Sequence, residues 1–218
     1  MTKTMKTPSH ILDLAKKASD AGRWFEAELM TLKLIEDARG AFDFDAMAAA
    51  VPVLRDARMA RFEEAFRVAD GTIQLLEESL EEEAVVTPGC WLIQPPLVAA
   101  DGRSLRQLAI EQEVPVAALC REPLTQLGLQ PIVSIGRITV RTKIDPPDQP
   151  ETPDMDWYRY ALDELGESAI DSVDTGIDIV KQVDALLDRI NTVQEHARLH
   201  DALEETCRLA AESMRNRS

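Results

Sequence analysis

Hydrophobic residues recur every three or four positions in the first and last thirds of the chain, which is the spacing of amphipathic helices. In the first third, this pattern predicts two helices separated by Gly22 and then a long apolar stripe from Phe62 to Leu80. In the last third it predicts three helices, the last of which opens with the capping box Thr192-Val193-Gln194-Glu195. Both ends of the chain are therefore expected to be helical.

Residues 85–150 have a different pattern, in which short apolar runs alternate with turn residues. Residues 131–144 predict a β-hairpin with Gly136 and Arg137 as a two-residue loop. The apolar run at 90–93, a following helix and a second run at 114–119 precede this hairpin. The expected order of elements is therefore β-α-β-β-β, and the proline-rich stretch 145–153 is expected to be an extended linker.

Together these patterns predict an α+β protein that is mostly helical. We expect an N-terminal helical region at residues 1–84, a small α/β module with a hairpin at 85–150, and a C-terminal helical region at 151–218. The flanking regions are acidic, whereas the middle segment has equal numbers of acidic and basic residues. This contrast in charge supports the same division.

The first helical pair carries a recognisable turn. Gly22-Arg23-Trp24-Phe25-Glu26-Ala27 resembles the glycine–x–aromatic–x–x–alanine turn of a tetratricopeptide repeat, in which small residues let two antiparallel helices approach. The resemblance covers about residues 9–38. It implies a helical hairpin of the kind that serves as a protein-binding scaffold.

The formal net charge of −15 bears on possible partners. A chain with this charge repels phosphate backbones and anionic lipid, so we expect neither nucleic-acid nor membrane binding. The N-terminal lysines are not followed by an apolar run, and no window approaches a membrane span. Three cysteines without a CxxC pair are typical of reduced thiols, and we therefore expect a cytoplasmic protein.

Two groups of residues could carry chemistry. Cys120 ends a predicted strand and is followed by Arg121, which could favour a nucleophilic thiolate. His196, His200 and Glu204 have the spacing i, i+4, i+8, which would line one helix edge with metal-ligand types. A buried structural thiol and histidines beside a helix seam are the alternatives. The chain contains no glycine-rich phosphate loop, and we expect no cofactor.

These observations favour a non-enzymatic protein-interaction or scaffold protein. Its partner would be another protein or a second copy, bound through helical faces. The alternative is a small hydrolase or transferase that uses Cys120, or a metal-dependent activity that uses His196 and His200.

Overall fold

The computed structural model of the chain describes residues 7–81 and 83–216. In this part of the chain seven helices surround a five-stranded sheet. The helices are α1 (Pro8–Asp20), α2 (Trp24–Gly40), α3 (Phe44–Ala69), α4 (Ala99–Glu111), α5 (Met155–Asp171), α6 (Ile179–Ile190) and α7 (Ala197–Arg215). The strands are β1 (Ile73–Leu76), β2 (Gly89–Ile93), β3 (Val116–Arg121), β4 (Gln130–Ile135) and β5 (Thr139–Ile144).

The strands lie in the sheet in the order in which they occur in the chain. β1, β2 and β3 are parallel, whereas β4 and β5 are antiparallel to their neighbours. The predicted fold class is confirmed: a mostly helical α+β protein with helical regions on either side of a central sheet, and a β-α-β-β-β order after β1.

Both faces of the sheet are buried. Successive side chains of a strand point to opposite sides, so each strand can contribute to both cores. One face, which includes Leu92 and Leu119, packs on α3 and α5 in the larger core. The opposite face, which includes Ile93 and Val133, packs on α4 in a smaller core. The larger core contains residues from all three segments of the predicted division. The boundaries of that division stay a prediction.

The apolar stripe from Phe62 to Leu80 does not form one helix, so this expectation was wrong. Asp70 and Gly71 have φ angles of 46° and 80°, and this left-handed backbone ends α3 at Ala69. The next residues form β1. Its alternating side chains still reach the two cores, with Ile73 on the larger one and Leu76 in the smaller one.

The hairpin between β4 and β5 also differs from its prediction in one detail. Ile135 pairs with Thr139, so the loop has three residues instead of two. The predicted alternation of the second strand is nonetheless present, because Val140 and Ile144 are buried and Thr139 and Arg141 are exposed.

A buried ionic cluster joins the helices. The Arg58 guanidinium, which is 1% exposed, donates from Nε to Glu28 Oε1 at 2.8 Å. Arg61 lies 3.2 Å from the second oxygen of the same carboxylate. Burial alone would raise the pKa of Glu28, but the charges of Arg58 and Arg61 and the Arg58 hydrogen bond outweigh it and lower the pKa. Glu28 is therefore ionised inside the protein.

The same two arginines hold the connection between α6 and α7. Arg58 Nη1 donates to the carbonyl oxygen of Ile190 at 2.7 Å, and its Nη2 donates to Asn191 Oδ1 at 3.2 Å. Arg61 Nη2 donates to Gln194 Oε1 at 3.0 Å. One carboxylate on α2 thus pairs with two cations on α3. Other donors of these arginines fix a connection more than 130 residues later, whereas Arg61 Nε has no partner among the described residues.

Removal of the Glu28 charge tests this cluster. In Glu28→Gln, two guanidinium groups would stay buried without a carboxylate, and we expect the free energy of unfolding to fall by about 3–5 kcal/mol. Urea denaturation followed by circular dichroism measures the change. The control is Glu26→Gln, which removes an exposed pair with Arg23 and should change stability by less than about 1 kcal/mol. Equal effects of the two substitutions would contradict the role of the buried cluster.

Candidate functional site

Cys120, the proposed nucleophile, lies in the interior. Its side chain is 2% exposed and packs in the smaller core with Ile93 and Leu105. Burial raises the pKa of the thiol to about 12. Arg121 was expected to favour the thiolate, but it is the next residue of β3 and points to the opposite face of the sheet. The charge of Arg106 favours the thiolate, but burial outweighs this effect and leaves the sulfur a poor nucleophile.

Cys90 and Cys207 have similar surroundings. Both are fully buried in the larger core, and burial raises the pKa of each thiol to about 12. All three cysteines are free. They fill space as small apolar side chains.

This leads to a prediction about thiol reactivity. At pH 8, a pKa near 12 leaves roughly one thiol in ten thousand ionised, so a disulfide reagent such as DTNB should not label the native protein. Three equivalents of thiol should react after addition of guanidinium chloride. Leu127→Cys provides the control, because residue 127 is 87% exposed and its thiol should react at once in the native protein. Rapid native labelling of Cys120 would restore the nucleophile hypothesis.

The predicted capping box at Thr192 would place His196 within a helix, but His196 does not lie within one. It is the N-cap of α7, where its Nδ1 accepts a hydrogen bond from the backbone N–H of Leu199 at 3.2 Å. Its ring lies against α5, and a Cβ added to Gly166 would be 2.0 Å from His196 Cγ. Thr192 instead donates its hydroxyl to the carbonyl oxygen of Asp188 at the end of α6.

His200 and Glu204 are not brought together with His196 as a ligand set. His200 is fully buried, with Nε2 3.2 Å from Arg58 Nη1 and Nδ1 2.9 Å from the carbonyl oxygen of His196. Arg58 can only donate, so Nε2 accepts and the ring is neutral. Glu204 forms an ion pair with Arg208. The spacing i, i+4, i+8 therefore serves helix packing.

The structure does place His196 beside two carboxylates of α5. Its Nε2 is 3.1 Å from Asp163 Oδ1 and 3.2 Å from Glu167 Oε1, and three such groups could hold a metal ion. The hydrogen bond at Nδ1 opposes this, because a backbone N–H can only donate and so places the proton of the neutral ring on Nε2. We interpret the cluster as a His196 donor that is hydrogen-bonded to Asp163, lies close to Glu167 and fixes α7 against α5.

The buried His200 predicts a pH dependence of stability. Burial and then the nearby Arg58 charge lower its pKa from 6.5 to about 3. The contribution of neutral His200 to stability is therefore fully present above pH 6.5. As the pH falls from 6.5 toward 3, the free energy of unfolding decreases by about 1.4 kcal/mol per pH unit. His200→Gln should remove this slope between pH 6.5 and 4.5 in urea denaturation series. His10→Gln, which changes an exposed histidine, should keep it.

A polar row that the sequence analysis missed crosses one face of the sheet where the parallel strands end. Glu77, Gln94 and Arg121 follow or end β1, β2 and β3. Arg121 donates from Nη2 to Gln94 Oε1, and Gln94 donates from Nε2 to a Glu77 oxygen. The carboxyl ends of parallel strands are where α/β proteins commonly bind ligands.

Two residues of this row, Gln94 and Arg121, line a crevice of about 260 Å³, which we call the carboxyl-edge crevice. Gln94, Arg121 and Gln130 line it and are only 7%, 8% and 4% exposed. Four prolines form much of the wall, at positions 95, 123, 146 and 150. Glu122 and Glu151 also line it, and Glu122 forms an ion pair with Arg141 at 2.6 Å. Burial lowers the pKa of Arg121.

A second concave surface, the α2–α6 groove, has a volume of about 550 Å³. Its floor is apolar, with Leu32 and Ile35 from α2 and Leu187 from α6. Its rim carries two ion pairs: Arg39 donates to both oxygens of Asp184 at 2.5 and 2.7 Å, and Arg137 lies 3.5 Å from Asp188. The exposed Glu36 completes the rim.

Comparison with known proteins identifies no relative. No protein family, curated protein or solved structure matches this chain. Among the described residues, no helix is both long enough and apolar enough to cross a membrane.

Proposed function

We propose that this protein is a non-enzymatic cytoplasmic interaction protein that binds an amphipathic helix of a partner protein in the α2–α6 groove. The observation that carries this proposal is the apolar floor of Leu32, Ile35 and Leu187 between two helices. Amphipathic helices dock in such grooves through apolar residues at positions i, i+3 or i+4 and i+7. The helical hairpin that resembles a tetratricopeptide repeat contributes α2, one wall of this groove.

The charges on the rim indicate the kind of helix that fits. Asp184, Asp188 and Glu36 outnumber Arg39 and Arg137, and both arginines already face a carboxylate. The remaining negative charge favours a partner helix with basic residues flanking its apolar face. The net charge of −15 supports the same polarity and disfavours nucleic acid and anionic lipid as partners.

The state of the ionisable groups also supports a binding function. The three thiols and His200 are buried, with pKa values displaced away from neutral pH. The raised thiol pKa opposes the alternative in which Cys120 acts as a nucleophile. Metal binding by His200 is opposed by its contacts, because Nε2 faces the Arg58 cation and Nδ1 faces the carbonyl oxygen of His196. Three free buried cysteines also support a reducing compartment such as the cytoplasm.

Site-specific photo-cross-linking tests the groove. A photoreactive residue in place of Glu36, which is exposed on the rim, should cross-link to a partner protein in native lysate. The same group in place of Glu205, which is exposed on α7, should not cross-link to that protein. The cross-linked peptide, identified by mass spectrometry, should come from an amphipathic helix with basic flanks.

The affinity for the cross-linked peptide should also depend on the apolar floor of the α2–α6 groove. Leu32→Glu combined with Leu187→Glu should weaken binding by about tenfold or more, because two buried apolar anchors are lost. Leu209→Glu alters an exposed leucine on α7 and should leave affinity unchanged. Circular dichroism confirms that each variant is folded. Cross-linking only to a second copy would replace this proposal with self-association, and no cross-link specific to residue 36 would overturn it.

A further inference from the structure

We propose that the carboxyl-edge crevice binds a small zwitterion of the free α-amino acid class. In this arrangement Arg121 receives the carboxylate and Glu151 receives the ammonium group. The inference is independent of the function proposed for the α2–α6 groove, because the two surfaces share no lining residue.

Arg121 is a buried arginine that lines the crevice. The residue is 8% exposed, yet among the described residues only Gln94 accepts a hydrogen bond from it. Arg121 lines the crevice, where a ligand can supply acceptors that its other donors lack among the described residues. A buried guanidinium at the wall of a crevice suits a carboxylate, which matches its planar geometry.

Two amide side chains, those of Gln94 and Gln130, line the crevice together with this arginine. Gln94 is oriented by its two neighbours, since its oxygen accepts from Arg121 and its nitrogen donates toward Glu77. Gln130 donates from Nε2 to the carbonyl oxygen of Glu122 at 2.6 Å and also lines the crevice. Gln94, Arg121 and Gln130 are each more than nine-tenths buried, and hydrogen bonds hold each side chain in position. Such an arrangement is typical of a preorganised binding surface.

The charges of the residues that line the crevice favour a zwitterion over a simple anion. Glu151 lines the same crevice, and burial lowers the pKa of Arg121 while the charges of Glu151 and then Glu77 raise it. No ion pair of 4 Å or less joins Arg121 and Glu151 among the described residues. An anion alone would be repelled by Glu151 and Glu122, whereas a ligand with both charges satisfies Arg121 and Glu151 together.

The size of the crevice limits the ligand. Its volume of about 260 Å³ lies below the roughly 300–1,000 Å³ of pockets that hold drug-sized molecules. The prolines of the wall restrict its expansion. An amino acid fits this space, and the exposed Leu124 at the wall offers contact to an apolar side chain.

Thermal unfolding and titration calorimetry test the proposal on the full-length protein. The probes are the twenty common L-amino acids, one at a time, with sodium acetate and methylammonium chloride as single-charge controls. At about one hundred times its Kd, an amino acid should raise the unfolding midpoint by roughly 5–10 °C. Acetate and methylammonium should bind at least about tenfold more weakly, since each engages only one of the two charged groups.

Two variants examine the two charges separately. Arg121→Gln should weaken amino-acid binding by about tenfold or more, whereas Arg67→Gln, at an arginine of α3 whose side chain is 70% exposed, should have no effect. Glu151→Gln changes an exposed residue that should not disturb folding. It should weaken amino-acid binding and strengthen acetate binding, because the ammonium partner and the repulsion of anions are lost together.

The outcomes separate the possibilities clearly. A reversed preference for acetate in Glu151→Gln would support the zwitterion site even if Arg121→Gln is unstable. Equal binding of acetate and amino acids by the wild-type protein would overturn the proposal in favour of a general anion site. Binding of no amino acid by the folded wild-type protein would overturn it altogether, and neither result would affect the groove.

Discussion

The ionic cluster of Glu28, Arg58 and Arg61 is the interaction on which the arrangement of the helices depends. A buried guanidinium is strongly unfavourable unless its charge is paired and its nitrogens find acceptors. Arg58 is 1% exposed, and each of its three nitrogens donates to a group on α2, at the end of α6 or on α7. Directional bonds therefore fix the N-terminal and C-terminal helices in one relative position, in addition to apolar packing. His200 stays neutral because it is buried and because it shares this site with a cation.

The two concave surfaces follow from different parts of this architecture. The α2–α6 groove lies between helices of the N-terminal and C-terminal regions, and its form depends on how the ionic cluster places them. The carboxyl-edge crevice belongs to the sheet, where Arg121 and Gln94 continue the strands beyond the last core residues. Each surface thus rests on a rigid element, which favours a fixed geometry for binding.

The helices and most strands could be predicted from the sequence because hydrophobic periodicity reports directly on which face is buried. β1 could not, because Ile73, Leu76 and Leu80 have the spacing of a helix and a strand buried on both faces shows no alternation of apolar and polar residues. The left-handed backbone at Asp70 and Gly71 ends the helix before them. Thr192 offered a better capping signal than His196, yet the chain uses the histidine because its ring packs on Gly166.

The candidate sites were harder to predict for a physical reason. In a chain with 39 acidic residues, Glu28 looks like any other surface charge, and its partner Arg58 is 30 positions away. Arg121 was noticed only as a neighbour of Cys120, although strand alternation separates the two. One signal was present: a polar residue at or just after the end of a buried strand and within two positions of a proline, as at Gln94 and Arg121.

The agreement between strand order and chain order has a consequence for synthesis on the ribosome. As each strand emerges, the strand beside which it pairs has already been made, so the sheet can grow in one direction without waiting for distant sequence. Arg58 is in the opposite situation, because Ile190 and His200 are translated more than 130 residues later. Its charge therefore stays hydrated until these residues have been made, and the helical layers close only after that point.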